Sequence, residues 1–299
     1  MSAKPIVTVD TTSTQVHVYT RQVSSWEGAQ TELAYFPDGW VFRGQRNADW
    51  GLRCNLDRKN GLAEAIDAEV LVMSEFERRA HLHLGASREP QDSVEWLALI
   101  QHHGGPTRLM DFTRSPLVAA FFALEGEGNE ENCAVWAIDE IACHSRAARR
   151  LAIVDSESAS LKPQHDIEKA VGKQIGKRSL SRFVAPVRPS RLNARMSLQQ
   201  GVFLVLGDPG SDLFANLQPV VEGEDPLRAV RVLFPRTGRG KALSALRRSN
   251  ISRETLFPGL DGLAASLEHL LIGRDVMQDA LQAELRKPAG WPGPEPTGF

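Results

Sequence analysis

Between Asp92 and Gly126 the chain is punctuated three times, and that punctuation restricts the fold more than any other feature of the sequence. Asp92 with Glu95 three residues on has the form of a capping box. The helix it opens carries Val94, Trp96, Leu97 and Ile100 and is stopped by Gly104-Gly105-Pro106. Thr107 to Phe112 is short and apolar enough for a strand. Ser115-Pro116 then supplies an N-cap followed by proline at the first helical position, opening a helix that Glu125-Gly126 ends.

Around this segment the elements are unequally spaced. Ser25 to Tyr35 reads as a short helix, Phe36-Pro37-Asp38-Gly39 as a turn and Trp40 to Arg43 as a strand. Ile66, Val70, Met73, Phe76, Ala80 and Leu84 follow the three-and-four spacing of an amphipathic helix between Glu64 and Leu84. Later strands are expected at Ala134–Ile138, Phe183–Val187, Val202–Leu206 and Ala229–Phe234. Two closing helices are expected at Ala242–Arg248 and Asp261–Ile272. Such spacing lacks the regular alternation of a doubly wound sheet, so the expected class is α+β. The organisation expected is an N-terminal strand or arm over 1–22, one domain over 23–285 and a loose Pro/Gly-rich tail over 286–299.

The 42% hydrophobic content can supply a sizeable core, which excludes disordered and fibrous classes. There is no apolar run of eighteen residues and no apolar stretch behind a basic N-terminal flank, so a cytoplasmic protein without membrane association is expected. Cys54, Cys133 and Cys143 are odd in number and widely spaced, giving neither a disulfide framework nor a zinc motif, and no metal is expected. His81 and His83, two apart on a helix, point in different directions and are not a metal pair. No GxGxxG after a strand, Walker A motif or GxSxG elbow occurs. Charge is uneven: Arg146–Arg195 holds twelve Lys/Arg against four Asp/Glu, and Arg236–Arg253 six against none. Such runs fit either a polyanion partner or a solvated helical surface.

Polar segments sit at the ends of elements that otherwise read as core: Phe42-Arg43-Gly44-Gln45, the run QHHGGPTRLMDFTRSPLVAAFFA from Gln101, and ARMSLQQGVF from Ala194. With the later LFPGLDGLAASL, these segments in this order resemble the FRG-domain family, named for its Phe-Arg-Gly motif, over Val23 to Leu271. A more distant pattern is similar to the ADP-ribosyltransferases. Arg43 matches their first-strand arginine, and Phe112-Thr113-Arg114-Ser115 with Ala119 or Ala120 and Phe122 matches their Ser-Thr-Ser element. Gln199 or Gln200 falls where their glutamate stands. That resemblance implies split mixed or antiparallel sheets with flanking helices, and NAD as a substrate.

On that reading Arg43, Gly44, Gln45, His102, Thr113 and Ser115 would hold NAD, and Arg43, His102, Asp111, Thr113 and Gln200 would carry its chemistry. A guanidinium fork suits a diphosphate, and Gly44 permits close backbone approach. Thr113 would bond a ribose hydroxyl or carboxamide, or else cap the next helix with Ser115. His102 or His103 would act as a general base, or close a helix C-terminus. A carboxylate normally stabilises the oxocarbenium-like centre of this transfer, and a glutamine cannot. At about 4 kcal/mol for a charge near 4 Å in an effective dielectric of about 20, its loss costs roughly a thousandfold. Asp111 would then orient the histidine or serve as the missing carboxylate.

Structural roles compete for the same residues. Arg43 would pair with Asp111 or Asp49, and Arg108 with Asp111. Glu69 and Glu75 would form the solvated face of their helix, and Leu256–Asp261 a turn that packs the last helices.

Two functional readings follow. One is an enzyme that uses NAD to modify a nucleic acid or protein, of the kind that serves as a bacterial toxin or phage-defence effector with a neutralising partner. The other is a non-catalytic nucleotide- or nucleic-acid-binding sensor. A hydrolase built on His102 and Asp111 lacks a recognisable nucleophile.

Overall fold

The computed structural model describes residues 6–13, 16–60, 65–84, 89–126, 128, 130–154, 164–177, 181–189, 194–218, 227–267 and 282. The expected tail over 286–299 and the last residues of the expected helix to Ile272 lie outside them. The chain divides into two compact units, residues 1–237 and 238–299.

Among the described residues of the first unit, runs of β-branched and apolar residues form eight strands: β1 (Ile6–Ser13), β2 (Val16–Gln22), β3 (Trp40–Gln45), β4 (Leu109–Thr113), β5 (Asn132–Asp139), β6 (Val184–Val187), β7 (Gly201–Leu206) and β8 (Leu227–Pro235). They make one mixed sheet in the order β1-β2-β8-β5-β3-β4-β7-β6, so the class is α+β as expected. β2 and β8 run parallel, and every other neighbour runs antiparallel. β3 pairs with β5 over six positions, but with β4 only at Phe42 and Thr113. The sheet therefore parts between β3 and β4 while remaining continuous. β5 is buried from Cys133 to Ile138 without alternation, as a central strand covered on both faces must be.

Among the described residues of this unit, nine helices flank the sheet: α1 (Trp26–Ala34), α2 (Asn55–Asn60), α3 (Ala65–Ala80), α4 (Ser93–His102), α5 (Pro116–Leu124), α6 (Glu140–Val154), α7 (Gln164–Gly172), α8 (Ala194–Leu198) and α9 (Leu213–Leu217). Val41, Met110, Phe112, Trp136, Val202 and Leu204 anchor one core cluster; Leu97, Ile100, Leu109, Leu151, Ile167 and Val205 anchor another. The expected caps are present: the Asp92 carboxylate accepts from Glu95 N at 2.8 Å and the Ser115 hydroxyl from Val118 N at 3.3 Å. The Glu95 carboxylate accepts from Gln91 N at 2.7 Å rather than from Asp92 N, so the box closes one residue early.

Expectations at Arg108, Glu69 and the basic run from Arg146 are corrected. Arg108 bonds not Asp111 but Glu69 on α3: its Nε donates to Glu69 Oε1 at 2.7 Å and its Nη2 to Glu69 Oε2. Its Nη1 also donates to the carbonyls of Leu206 and Gly207, at 3.3 and 3.0 Å. Glu69 is consequently buried rather than part of a solvated face, whereas Glu75 is exposed and pairs with Arg78 and Arg79. The basic run from Arg146 is not one solvated face either. Arg146 and Arg150 are buried on α6 and donate to the carbonyls of Leu217, Arg182, Asn216 and Gln218. Lys162, Arg178 and Arg191 of that run lie outside the described residues.

In the second unit, α10 (Arg239–Arg248), α11 (Arg253–Leu256) and α12 (Leu260–Ser266) follow in sequence. Ser252 and Thr255 cap α11 reciprocally, and the turn through Pro258 enters α12 at Gly259, whose φ of +110° favours glycine. A Cβ at Gly262 would lie 1.7 Å from the Phe257 carbonyl, so this segment packs its helices as read from the sequence.

Candidate functional site

Where β3 and β4 part, a cavity of about 680 Å³ opens, within the range of small-molecule sites. Arg43, Arg46, Arg53, Arg58 and Arg195 line it, with Asp111 and Glu125 the carboxylates among its walls. The cations differ in how far they are already matched. Arg53 pairs with Asp57 at 2.9 Å and Arg46 with Glu130 at 3.3 Å. Arg58 is exposed and has no ion-pair partner among the described residues.

Arg43 is under-satisfied. It ion-pairs with neither Asp111 nor Asp49; its Nη1 donates to the main-chain carbonyl of Asp111 at 2.6 Å, and its buried Nε has no hydrogen-bond partner among the described residues. Burial lowers the Arg43 pKa from its ordinary value; the Asp111 carboxylate opposes that shift and the Arg58 charge adds to it. A guanidinium with most of its fork unused, desolvated and beside a second cation, is prepared for an anion.

Gly44 has a different reason from the one read in the sequence. A Cβ there would lie 1.9 Å from the Ala119 carbonyl and 2.6 Å from Ala123 N, so glycine lets α5 lie directly on β3. Gln45 is buried and committed at both ends: its Nε2 donates to Gly51 O at 3.2 Å, and its Oε1 accepts from Trp136 Nε1 at 2.7 Å. It thereby fixes the loop that carries Trp50, which is 43% exposed on the cavity wall with the Arg46 guanidinium 5.4 Å from its ring centroid. An exposed indole backed by a cation is a ledge on which a heteroaromatic ring can stack.

Thr113 lines the cavity, but its hydroxyl donates to Gln199 O at 2.6 Å and accepts from Ser115 N at 3.0 Å, leaving a single lone pair for a ligand. Ser115 is spent on its cap and lies off the cavity. Arg114 grips Glu140 through Nε at 3.0 Å and through Nη2, so this element mainly fastens β4 to its neighbours. Gln199 lines the cavity. Gln200 is exposed, lies off it, and takes the left-handed turn before β7 at φ +49°, its N bonding Ser197 O and its carbonyl accepting from Arg114 N.

His102 is not on the main cavity. It lines an adjoining recess of about 50 Å³ with Ala98, Gln101, Met196 and Phe203, and this recess shares Asp111, Arg195 and Gln199 with the cavity. Burial lowers the His102 pKa, with contributions from the charges of His103 and Arg195. His103 closes α4 as its C-cap and lies off the recess. Asp111 is exposed, and its carboxylate makes no hydrogen bond or ion pair among the described residues. No thiol competes as nucleophile: burial pushes Cys133 and Cys143 up to about 12 and moves Cys54 the same way. No group of three or more His, Cys, Asp or Glu able to hold a metal occurs among the described residues.

Sequence reasoning missed Arg46, Trp50, Arg53, Arg58 and Glu125. The signal for four of them was the alternation of arginine and tryptophan in RGQRNADWGLRCNLDR directly after a strand.

Residues 38–132 match the family model of the FRG domain. This chain carries an FRG domain. The match runs from the turn before β3 into β5 and so includes Arg43, Trp50, Arg58, Asp111 and Thr113, whereas Arg195 and Gln199 complete the cavity from outside it. Neither a curated protein nor a solved structure matches the chain. No helix among the described residues is long and apolar enough to cross a membrane.

Proposed function

We infer that the cleft between β3 and β4 binds NAD and that this protein transfers its ADP-ribosyl group to a macromolecular acceptor, nucleic acid or protein. The observation that carries the reading is Arg43: a desolvated guanidinium whose Nε has no hydrogen-bond partner among the described residues, next to Arg58, which has no ion-pair partner among them, where the sheet opens between β3 and β4. Those two cations take the diphosphate, whose oxygens accept from a guanidinium fork. Trp50, with Arg46 against it, supplies a stacking surface for a heteroaromatic ring, and the cavity volume accommodates a dinucleotide lying along the opening. The pattern of Arg43, the Thr113 element and the glutamines before β7 supports the same assignment through its similarity to ADP-ribosyltransferases. A role as a toxin or defence effector controlled by a neutralising partner, acting in the cytoplasm, belongs to this reading.

Titration calorimetry with NAD tests it. The wild-type protein is expected to bind, and Arg43→Ala to bind about ten- to a hundredfold more weakly, the worth of one charged hydrogen-bonding group. Equal affinity in the two proteins counts against it.

A nucleic-acid acceptor has one observation of its own. Lys241, Arg247 and Arg248 are exposed on α10, in a run without acidic residues. Binding of single-stranded nucleic acid that weakens steeply with salt, and less steeply after charge removal at Arg247 and Arg248, would select it. Salt-independent binding would leave protein as the acceptor.

A further inference from the structure

The cavity and the recess meet at three side chains, Asp111, Arg195 and Gln199, and one of these is a carboxylate with no bonding partner among the described residues. β4 places it there. Asp111 stands in register with Phe203 of β7, which also walls the recess, while its main-chain carbonyl takes the Arg43 guanidinium. One residue therefore joins the anion-binding arginine to the recess that holds His102. The residues at the head of β7 supply no carboxylate: Gln199 is a neutral wall and Gln200 forms a turn off the cavity.

We propose that Asp111 takes the charge-stabilising role in this site and that the recess behind it, with His102, delivers water, so that the protein hydrolyses NAD when no macromolecular acceptor is bound. The inference rests on the NAD reading of the cleft. Cleavage of the bond between ribose C1′ and the nicotinamide nitrogen leaves the electron pair on nicotinamide, which departs neutral, and leaves positive charge shared between C1′ and the ring oxygen. The Asp111 carboxylate offsets that charge, as the second carboxylate of a glycosidase does. A recess of about 50 Å³ is large enough to admit water, since one molecule needs about 10–15 Å³ of such space. Water entering from this side forms the new bond from its oxygen to C1′ and gives its proton to the neutral imidazole of His102, which returns it to solvent. NAD and water yield ADP-ribose, nicotinamide and one proton, with no further reactant.

The groups facing His102 are His103 beyond it on the same helix, Arg195 from α8 and Asp111 from β4. Partial burial, with His103 and the Arg195 charge alongside, favours the neutral base, and Asp111 is the opposing charge. A macromolecular nucleophile entering by the main cavity would use the same carboxylate, so water and acceptor compete at one centre.

The test uses the full chain and NAD alone, following nicotinamide and ADP-ribose by chromatography beside calorimetric NAD affinity and thermal unfolding. Wild type is expected to release both products in equal amounts. Asp111→Asn is expected to keep its fold and NAD affinity and to lose about a thousandfold in turnover, the value of one carboxylate at close range. His102→Ala is expected to lose turnover at neutral pH and, with it, the acidic limb of the pH profile, which a purely structural histidine would not remove. NAD bound normally while Asp111→Asn turns over like wild type overturns the inference and leaves the NAD reading standing, as does binding without nicotinamide release by wild type. Failure of the wild type to bind NAD overturns the reading beneath it.

Discussion

Arg43 and Arg108 are both withdrawn from bulk water, yet the protein treats them oppositely. Arg108, with a side chain 1% exposed, spends four donors on Glu69 and the carbonyls of Leu206 and Gly207. Arg43 spends one, on the Asp111 carbonyl, and its Nε has no hydrogen-bond partner among the described residues. A buried charge that is fully bonded is finished; removing its partner exposes an uncompensated ion. A desolvated charge that is mostly unbonded has been left for something else to complete, and the fold carries its cost elsewhere. The contrast separates the region that holds α3 against β4 and β7 from the region that recognises an anion.

The largest expected effect tests the finished arginine. Glu69→Ala leaves Arg108 buried without its carboxylate and is expected to cost about 3–5 kcal/mol, a large part of the stability of a domain. Urea unfolding reads it directly, and a shift under 1 kcal/mol would remove the distinction between the two arginines. Gly44→Ala comes next. Its methyl meets the backbone of α5 at 1.9 Å, so a loss of about 1–3 kcal/mol in the same experiment is expected, through packing and not through the ligand.

Arg43→Ala is expected to sit on the other side of the comparison, changing stability by no more than about 1 kcal/mol because a single hydrogen bond is lost. Arg43→Lys should not restore the anion site, since a point charge lacks the fork. Restoration of full affinity by lysine would mean that charge alone, and not geometry, is read. The pH dependence is subtler. His102 acts only when neutral, and burial lowers its pKa, so hydrolysis is expected to fall as pH drops and to do so below the ordinary histidine value of about 6.5. An acidic limb at or above that value would place the proton acceptor elsewhere. The smallest effect is expected at Gln200→Gly, which relieves the left-handed conformation and should raise stability by about 1 kcal/mol or less. Loss of stability there would show that the side chain does more than turn the chain.

Local signals in the sequence resolved the local structure. Caps at Asp92 and Ser115, the stop at Gly104-Gly105-Pro106 and the apolar runs of β5 and β7 depend on neighbours in the chain, and each element stands within about two residues of its expected place. What failed was partnership at a distance. Glu69 looks like a solvated carboxylate on an amphipathic helix until β4 brings Arg108 against it, 39 residues away in sequence. Arg146 and Arg150 look like part of a basic face until the carbonyls at the end of α9 require donors. Gly44 reads equally well as room for a ligand or for a helix, and only the position of α5 decides it. At the site, Arg43, Asp111 and Thr113 were legible because they are polar residues set in the otherwise apolar runs of β3 and β4. The loop arginines and Trp50 were missed because their alternation along the chain does not by itself show that they face a gap between strands that barely pair.

The central claim is that Arg43 is left unfinished for an anionic dinucleotide. Calorimetric titration of NAD into wild-type and Arg43→Ala protein, each first shown to unfold at the same temperature, tests it most directly. Saturable binding by the wild type, weakened about ten- to a hundredfold in the variant, is the predicted result. Binding that is indifferent to Arg43, or no binding by a folded wild-type chain, would contradict it.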